Sequence, residues 1–159
     1  MTDTQFTELT TKYIDTVYRV ALTHMKNPAE AEDITQTVFL KLYREPKPFA
    51  SEAHVKHWLI RVAVNECNKA YRNPFRFAED IADHAATLRF DTPEHSELYY
   101  AVMELPRKYR VPIFLYYYED YSTAEISKLM GIPTPTVATR LHRGRELLKK
   151  TLQEANYHA

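Results

Sequence analysis

The sequence predicts an all-α fold of two small helical domains joined by a flexible linker. Glycine occurs only twice in the 159 residues, and β-branched residues rarely alternate with polar ones, so strands and their turns are hard to place. Apolar residues instead recur at spacings of three and four, as amphipathic helices require. We place the domains at residues 1–75 and 93–159, because the acidic stretch 76–92 between them has little periodicity.

Three helices are predicted in the first domain, over about residues 5–26, 28–45 and 52–72. Asn27 is the expected N-cap of the second helix and Pro28 its first residue. Ser51 is the expected N-cap of the third. We expect Phe39 of the second helix to lie in the core. The predicted buried residues of the third helix are Trp58, Ile60, Ala63, Val64, Cys67 and Tyr71.

Four helices are predicted in the second domain, beginning near residues 93, 106, 123 and 134. The second of them should run to about Asp120, with Pro112 near its first turn, where a proline costs less than in a helix interior. Ser122 and Glu125 form a capping box for the third helix. Gly131 is expected to end that helix in a left-handed turn. The last two helices therefore have the pattern of a helix-turn-helix.

The final helix of this pair carries two distinct stripes. Its apolar stripe comprises Val137, Leu141, Gly144 and Leu148. Its polar stripe comprises Thr136, Thr139, Arg140 and Arg143. Hydroxyls near the start of a helix, followed by guanidinium groups one turn later, suit a helix that enters the major groove of DNA. The alternative is an ordinary helical hairpin with a solvated basic face.

Composition excludes several other classes of protein. The 21 basic and 21 acidic residues balance, which argues against nonspecific binding of nucleic acid by the whole molecule. A single cysteine, Cys67, excludes an internal disulfide and fits the reducing cytoplasm. We find neither a signal peptide nor an apolar run of the ~20 residues that a membrane span needs, and expect no membrane insertion. No catalytic arrangement, metal cluster or glycine-rich phosphate loop occurs, so neither an enzyme nor a cofactor is predicted.

Residues 122–145 resemble region 4 of extracytoplasmic-function sigma factors of RNA polymerase, from Ser122-Thr123-Ala124-Glu125-Ile126-Ser127 through Thr136-Val137-Ala138-Thr139-Arg140-Leu141-His142-Arg143-Gly144-Arg145. Leu105-Pro106 upstream also matches. The resemblance implies that the last helix reads the minus-35 promoter element. It places Thr136, Thr139, His142 and Arg143 near bases and Arg140 and Arg145 nearer phosphates. This sequence departs from the family pattern at Ala138, usually basic, and at Gly144, usually alanine, which costs a helix roughly 1 kcal/mol.

The second helix independently resembles region 2 of the same family, through Asp33-Ile34-Thr35-Gln36-Thr37-Val38-Phe39-Leu40-Lys41-Leu42-Tyr43. In the family this helix grips the clamp coiled coil of the polymerase core. The resemblance therefore implies a core-binding surface that comprises Asp33, Gln36, Thr37 and Leu40. The alternative for Asp33 and Gln36 is that they are simply solvated positions on a helix.

The third helix resembles the family segment that melts and holds the minus-10 element, through His54-Val55-Lys56-His57-Trp58-Leu59-Ile60-Arg61-Val62-Ala63-Val64-Asn65. A polar stripe opposite its buried face supports this interpretation, and it comprises Arg61, Asn65, Asn68 and Arg72. The preceding loop could accept a flipped base by stacking on Phe49. Local packing is the alternative role of Phe49.

Together these resemblances imply a sigma factor that binds RNA polymerase core and directs initiation at promoters through their minus-10 and minus-35 elements. An anti-sigma factor is an additional partner that the family suggests. One rival is a dimeric helix-turn-helix regulator whose first domain senses a ligand. A second rival is an interaction module whose basic helix binds an acidic protein. A regulator should shift promoter DNA alone, whereas a sigma factor should need core polymerase.

Overall fold

The computed structural model describes residues 1–73 and 93–158, with side chains between 97 and 154 in the second part. These residues form seven α-helices and no strand, which confirms the all-α prediction. The helices are α1 (Asp3–Met25), α2 (Pro28–Arg44), α3 (Glu52–Tyr71), α4 (Pro93–Met103), α5 (Arg107–Tyr117), α6 (Thr123–Met130) and α7 (Thr134–His158). The chain divides into two compact units, Met1–Arg89 and Phe90–Ala159. The linker predicted at 76–92 lies outside the described residues.

In the first unit α1, α2 and α3 each pack against the other two. Their shared core is aliphatic, and burying each such side chain contributes about 1.5–3 kcal/mol. The predicted caps are confirmed, because Asn27 accepts a hydrogen bond from the Glu30 amide and Ser51 accepts one from the His54 amide. The predicted burial of Phe39 is also confirmed. Fully buried core residues include Val17, Val20, Leu22, Val38, Leu42, Leu59, Ile60 and Val64.

Two aromatic residues of α3 are less buried than the periodicity predicts. Tyr71 is 40% exposed, because it is the last residue of α3 and the periodic pattern continues beyond the packed part of the helix. Trp58 is half-buried. Its ring meets the edge of Phe49, with ring centroids 5.6 Å apart, so it packs against the α2–α3 loop and does not lie fully within the helical core.

In the second unit α5 and α7 contact each other, and both contact α4 and α6. An aromatic cluster joins α4 to α5: Tyr99 and Phe114 meet edge to face at 6.0 Å, and Phe114 stacks on Tyr118 at 5.4 Å. The buried Arg110 guanidinium donates a hydrogen bond to the Leu105 carbonyl, 3.1 Å away, across the turn between α4 and α5. The aromatic core therefore fixes the helix against which α7 packs.

The bounds and the proline of α5 differ from the sequence prediction. Pro112 is the sixth residue of the helix and is buried in its interior, not in its first turn. The helix ends at Tyr117, before the expected end near Asp120. Asp120 adopts a left-handed conformation with φ of 58°, and the Tyr121 amide instead bonds to the Leu115 carbonyl. A left-handed residue cannot continue a right-handed helix, so α5 cannot extend to the predicted end at Asp120.

The helix-turn-helix predicted at α6 and α7 is confirmed in detail. Ser122 and Glu125 form the capping box, with amide-to-side-chain bonds of 3.0 and 3.1 Å. Gly131 ends α6 with φ of 68°, and its amide bonds to the Ser127 carbonyl. The Pro133 carbonyl then accepts bonds from the amides of Thr136 and Val137 in the first turn of α7. Over the described part of the chain, no helix is both long enough and apolar enough to cross a membrane.

Candidate nucleic-acid interface

Four of the six predicted minus-35 residues converge on one groove of about 360 Å³ beside the start of α7. The groove lies between α7 and the first turn of α5. Its lining residues are Lys108, Tyr109, Pro135, Thr136, Thr139, Arg140 and Arg143. Three of these residues are basic and none is acidic, so the groove favours a negatively charged ligand.

The apolar stripe of α7 is buried against the rest of the second unit, as predicted for Val137, Leu141 and Leu148. Gly144 belongs to this buried face. A Cβ atom placed there would lie 2.8 Å from Cγ1 of Ile113 and 3.5 Å from Cβ of Tyr109. Helices α5 and α7 therefore approach each other more closely than an alanine at position 144 would allow without movement. This accounts for glycine at a mid-helix position.

Tyr109 of α5 lines this groove together with Lys108 of α5 and Arg143 of α7. The nearby Arg143 side chain is the main cause that lowers the pKa of the Tyr109 hydroxyl, and Lys108 lowers it further. The Lys108 ammonium lies 5.0 Å from the centre of the Tyr109 ring. Two cations, Lys108 of α5 and Arg143 of α7, thus lie in the same groove as the Tyr109 phenol.

The two remaining minus-35 candidates do not line this groove. His142 is exposed on another side of α7. At about 100° per residue, Arg145 lies roughly 180° around the helix from Thr136. Its Nη1 donates a hydrogen bond to the Tyr117 hydroxyl at 3.3 Å. Arg145 instead lines a separate, largely apolar groove of about 350 Å³ between α4, α5 and α7.

Four of the five predicted minus-10 residues lie on one outer face of α3 and its C-cap. Arg61, Asn65 and Arg72 are exposed and Asn68 is half-buried. Their offsets of four, seven and eleven residues place all four within a narrow sector of the helix. No second helix is needed to bring them together.

Phe49 lies in the loop that precedes α3. Its ring meets those of His54 and Trp58 edge to face, with centroids 5.2 and 5.6 Å away. It also lines a cavity of about 700 Å³ between this loop and the first turns of α1. Lys12 and Glu52, which both line this cavity, form an ion pair with a separation of 2.8 Å. The Glu52 hydrogen bond raises the pKa of the Lys12 ammonium.

The predicted core-binding residues lie on the outer face of α2. Asp33, Gln36 and Leu40 are exposed, and Leu40 keeps 49% of its surface accessible. Thr37 is half-buried, and its hydroxyl donates to the Asp33 carbonyl at 3.0 Å. Tyr43, three residues after Leu40 and 56% exposed, extends the face. In the described residues, no group of three or more potential ligands could hold a metal ion.

Comparison with known proteins identifies both units. The model for Sigma-70 region 2 matches residues 9–74, and that for Sigma-70 region 4 matches residues 95–148. The ECF RNA polymerase sigma factor SigW of Bacillus subtilis is 30% identical over an alignment of 167 positions, which covers 94% of this chain and 89% of SigW. The chain belongs to the ECF family of RNA polymerase sigma factors.

Two further sigma factors agree with this assignment. ECF RNA polymerase sigma factor SigL of Mycobacterium tuberculosis is 31% identical over 147 residues, covering 87% of this chain and 83% of SigL. The structure of Bartonella quintana sigma factor RpoE, solved with the anti-sigma factor NepR, superposes with a TM-score of 0.72 at 19% identity. That match covers 94% of this chain and 97% of RpoE, and it shows a shared fold.

The family assignment confirms the predicted function at the level of the whole chain. A sigma factor directs RNA polymerase to promoters, and it is an initiation factor without enzymatic activity. Region 2 contains α1 to α3, and the region 4 match extends from α4 to Leu148 in α7.

Sequence reasoning missed four residues of these surfaces, among them Pro135 at the start of α7. Tyr43 could have been found as a large aromatic side chain outside the apolar stripe of α2, one turn after Leu40. Lys108 and Tyr109 had no comparable signal, because they belong to a different helix from the polar stripe of α7. They join the region 4 groove only through the packing of α5 against α7.

Proposed function

We propose that this sigma factor reads the minus-35 element with the groove between α5 and α7. Its α3 and the loop before it hold the minus-10 element, and the outer face of α2 binds core polymerase. The observation that carries the proposal is the convergence of Thr136, Thr139, Arg140 and Arg143 on one basic groove.

At the minus-35 element, Thr136, Thr139 and Arg143 would meet base edges and Arg140 a phosphate. A guanidinium group can donate two hydrogen bonds to the acceptors of a guanine edge in the major groove. His142, predicted near bases, lies to one side of the groove and is assigned to its edge. Arg145, predicted near a phosphate, bonds to Tyr117 on the opposite side. We therefore leave Arg145 out of the base-reading set.

Promoter-variant transcription with reconstituted holoenzyme tests this assignment. Arg143→Ala should cost about 1–3 kcal/mol on the cognate element and relax the preference at one base pair. Lys149→Ala is the matched control, since it removes a cation from the same helix nearly two turns further on. It should weaken all sequences alike and reduce the salt dependence. Base preferences that survive Arg143→Ala would remove Arg143 from the reading surface.

At the minus-10 element, the exposed face of α3 suits the displaced single strand. The cavity beside Phe49 is large enough for an extruded base, which would stack on aromatic side chains and bond through its edge. The two aromatic neighbours of Phe49 support a second role, as packing that shapes this cavity.

Promoter opening tests the α3 assignment separately from minus-35 recognition. Arg61→Ala combined with Asn65→Ala should slow opening, followed by the fluorescence of 2-aminopurine placed in the minus-10 element. The preference among minus-35 variants should stay unchanged, because the proposed surface that reads the minus-35 element belongs to region 4. Normal opening kinetics in the double variant would contradict the assignment.

For core polymerase, the proposed surface comprises Asp33, Gln36, Thr37 and Leu40, with Tyr43 added from the structure. Asp33→Arg with Gln36→Ala should weaken core binding in a pull-down titration while leaving thermal unfolding unchanged. Glu32→Arg is the matched control, because it reverses one charge on the same helix about 100° away from Asp33. Equal affinity of both variants for the core would locate the contact elsewhere.

We also propose that the chain acts in the cytoplasm, where RNA polymerase and promoter DNA are found, and that an anti-sigma factor can bind it. The complex of RpoE with NepR supports such a partner. The boundaries 1–75, 76–92 and 93–159 belong to the same proposal. Limited proteolysis should cleave first within 76–92, and uniform cleavage along the chain would contradict the two-domain layout.

A further inference from the structure

We infer that Tyr109 is a positioning residue for minus-35 recognition, whose hydroxyl holds the Arg143 guanidinium at the DNA-facing groove. Gly144 makes this possible by letting α5 approach α7. The inference rests on the proposed role of the groove, and it adds a residue from outside the helix-turn-helix to promoter reading.

The close approach of the two helices is the first step of the argument. Gly144 leaves space that a Cβ atom would fill at 2.8 Å from Ile113 and 3.5 Å from Tyr109. Tyr109 therefore packs against α7 beside the residue that precedes Gly144. Arg143 occupies that position, and both side chains line the same groove.

The second step concerns the mobility of Arg143. An exposed arginine samples many rotamers, and ordering it on DNA has an entropic cost. A phenol oxygen that accepts a guanidinium hydrogen bond restricts these rotamers before DNA arrives. The direction of the pKa shift at Tyr109, downward mainly through Arg143, agrees with such a bond.

The remaining hydrogen-bonding capacity of Arg143 suits base reading. A guanidinium has five N–H donors in a fixed fork, so one bond to Tyr109 leaves a pair for the two acceptors of a guanine. Lys108, which lies over the Tyr109 ring, keeps the surrounding potential positive. Pre-orientation by Tyr109 should therefore sharpen the choice of base more than it raises affinity for DNA in general.

Tyr109→Phe removes the hydroxyl and keeps the ring that packs near Gly144. In reconstituted transcription on minus-35 variants, it should lower discrimination at the base pair read by Arg143 by about three- to tenfold, as expected for the net loss of one hydrogen bond of ordinary strength. Tyr116→Phe is the matched control, since Tyr116 is an exposed tyrosine of α5 outside the groove. It should leave every base preference unchanged.

A double variant distinguishes positioning from general destabilisation. If Tyr109 acts through Arg143, adding Tyr109→Phe to Arg143→Ala should cause no further loss of discrimination. Relaxed preference in Arg143→Ala with wild-type preference in Tyr109→Phe would overturn this inference and leave the proposed function standing. Intact preference in Arg143→Ala would overturn both. An equal loss on all promoter variants, together with a lowered melting temperature, would mean that Tyr109 is only a packing residue.

Discussion

The two candidate DNA surfaces of this sigma factor are built in different ways. The α3 surface is one face of a single helix, because Arg61, Asn65 and Arg72 are related by helical spacing alone. The region 4 groove needs two helices, since Lys108 and Tyr109 come from α5 and the other lining residues from the start of α7. The first surface persists wherever α3 is helical. The second depends on the distance between α5 and α7.

This difference affects how each surface can be damaged. Arg143 of α7 and Tyr109 of α5 are 34 positions apart in the sequence and share one groove because the two helices pack closely at Gly144. On the proposed assignment, a change in the interior of region 4 should therefore alter promoter reading without touching a residue that contacts DNA. On α3, altered DNA binding should come mainly from substitutions on the polar face itself.

Removing a buried side chain behind the region 4 groove should have the largest effect on the free energy of unfolding. Leu141→Ala should lower the free energy of unfolding by about 2–5 kcal/mol, because Leu141 is only 2% exposed on the inner face of α7. Leu147→Ala is the control on the same helix, where Leu147 is 39% exposed. It should change stability by about 0.5 kcal/mol or less. Urea denaturation monitors both, and similar losses would contradict the assigned orientation of α7.

Filling the space between α5 and α7 at Gly144 should have a smaller effect on the free energy of unfolding. Gly144→Ala gains about 1 kcal/mol of helix propensity, but overpacking against Ile113 costs about 1–3 kcal/mol. We expect a net loss of roughly 1 kcal/mol.

The partner variant Ile113→Ala provides the test of this contact. It removes both atoms of Ile113 that an alanine Cβ at position 144 would crowd. In that background Gly144→Ala should become stabilising by about 1 kcal/mol, because only the propensity gain remains. A thermal or urea double-mutant cycle measures the change of sign. No coupling between the two positions would mean that the helices are farther apart than described.

Much of the fold follows from local signals in the sequence. Asn27, Ser51 and Ser122 cap helices where predicted, and Gly131 ends α6 in the expected left-handed conformation. These features depend on residues within one turn of each other. The bounds of α5 were predicted less well, because Asp120 carries a left-handed turn that most sequences would mark with glycine.

The candidate site was predictable only as far as it lies on single helices. The polar stripe of α7 gave four residues that do share a groove, whereas family resemblance alone nominated His142 and Arg145, which do not line it. Tyr109 could not be found this way. Its place depends on how closely α5 approaches α7, and helical periodicity contains no information on interhelical distance.

One helix in each region, α1 in region 2 and α6 in region 4, ends at a residue in the left-handed conformation, so the two regions can also be compared in their backbones. Region 4 uses Gly131 at the end of α6, with φ of 68°, and a Cβ there would meet no atom within 4 Å. Gly131→Ala should therefore cost about 1 kcal/mol from backbone conformation alone. Gly131→Asn should cost less, because asparagine tolerates this region better. Urea titration of both variants checks the order, and equal costs would point to a steric cause.

The smallest effect is expected at the corresponding position of region 2, where Lys26 ends α1 with φ of 53°. Its amide bonds to the Leu22 carbonyl, so the cap is already formed. Lysine, however, adopts this left-handed conformation less favourably than glycine does. Lys26→Gly should raise the free energy of unfolding by a few tenths to about 1 kcal/mol, since glycine adopts this conformation readily but loses more entropy on folding. Lys26→Ala is the matched control and should change stability little, because alanine meets the same restriction. If alanine stabilised the protein as much as glycine, loss of the lysine charge or side chain would be the cause, and the left-handed end of α1 would not limit the stability of region 2.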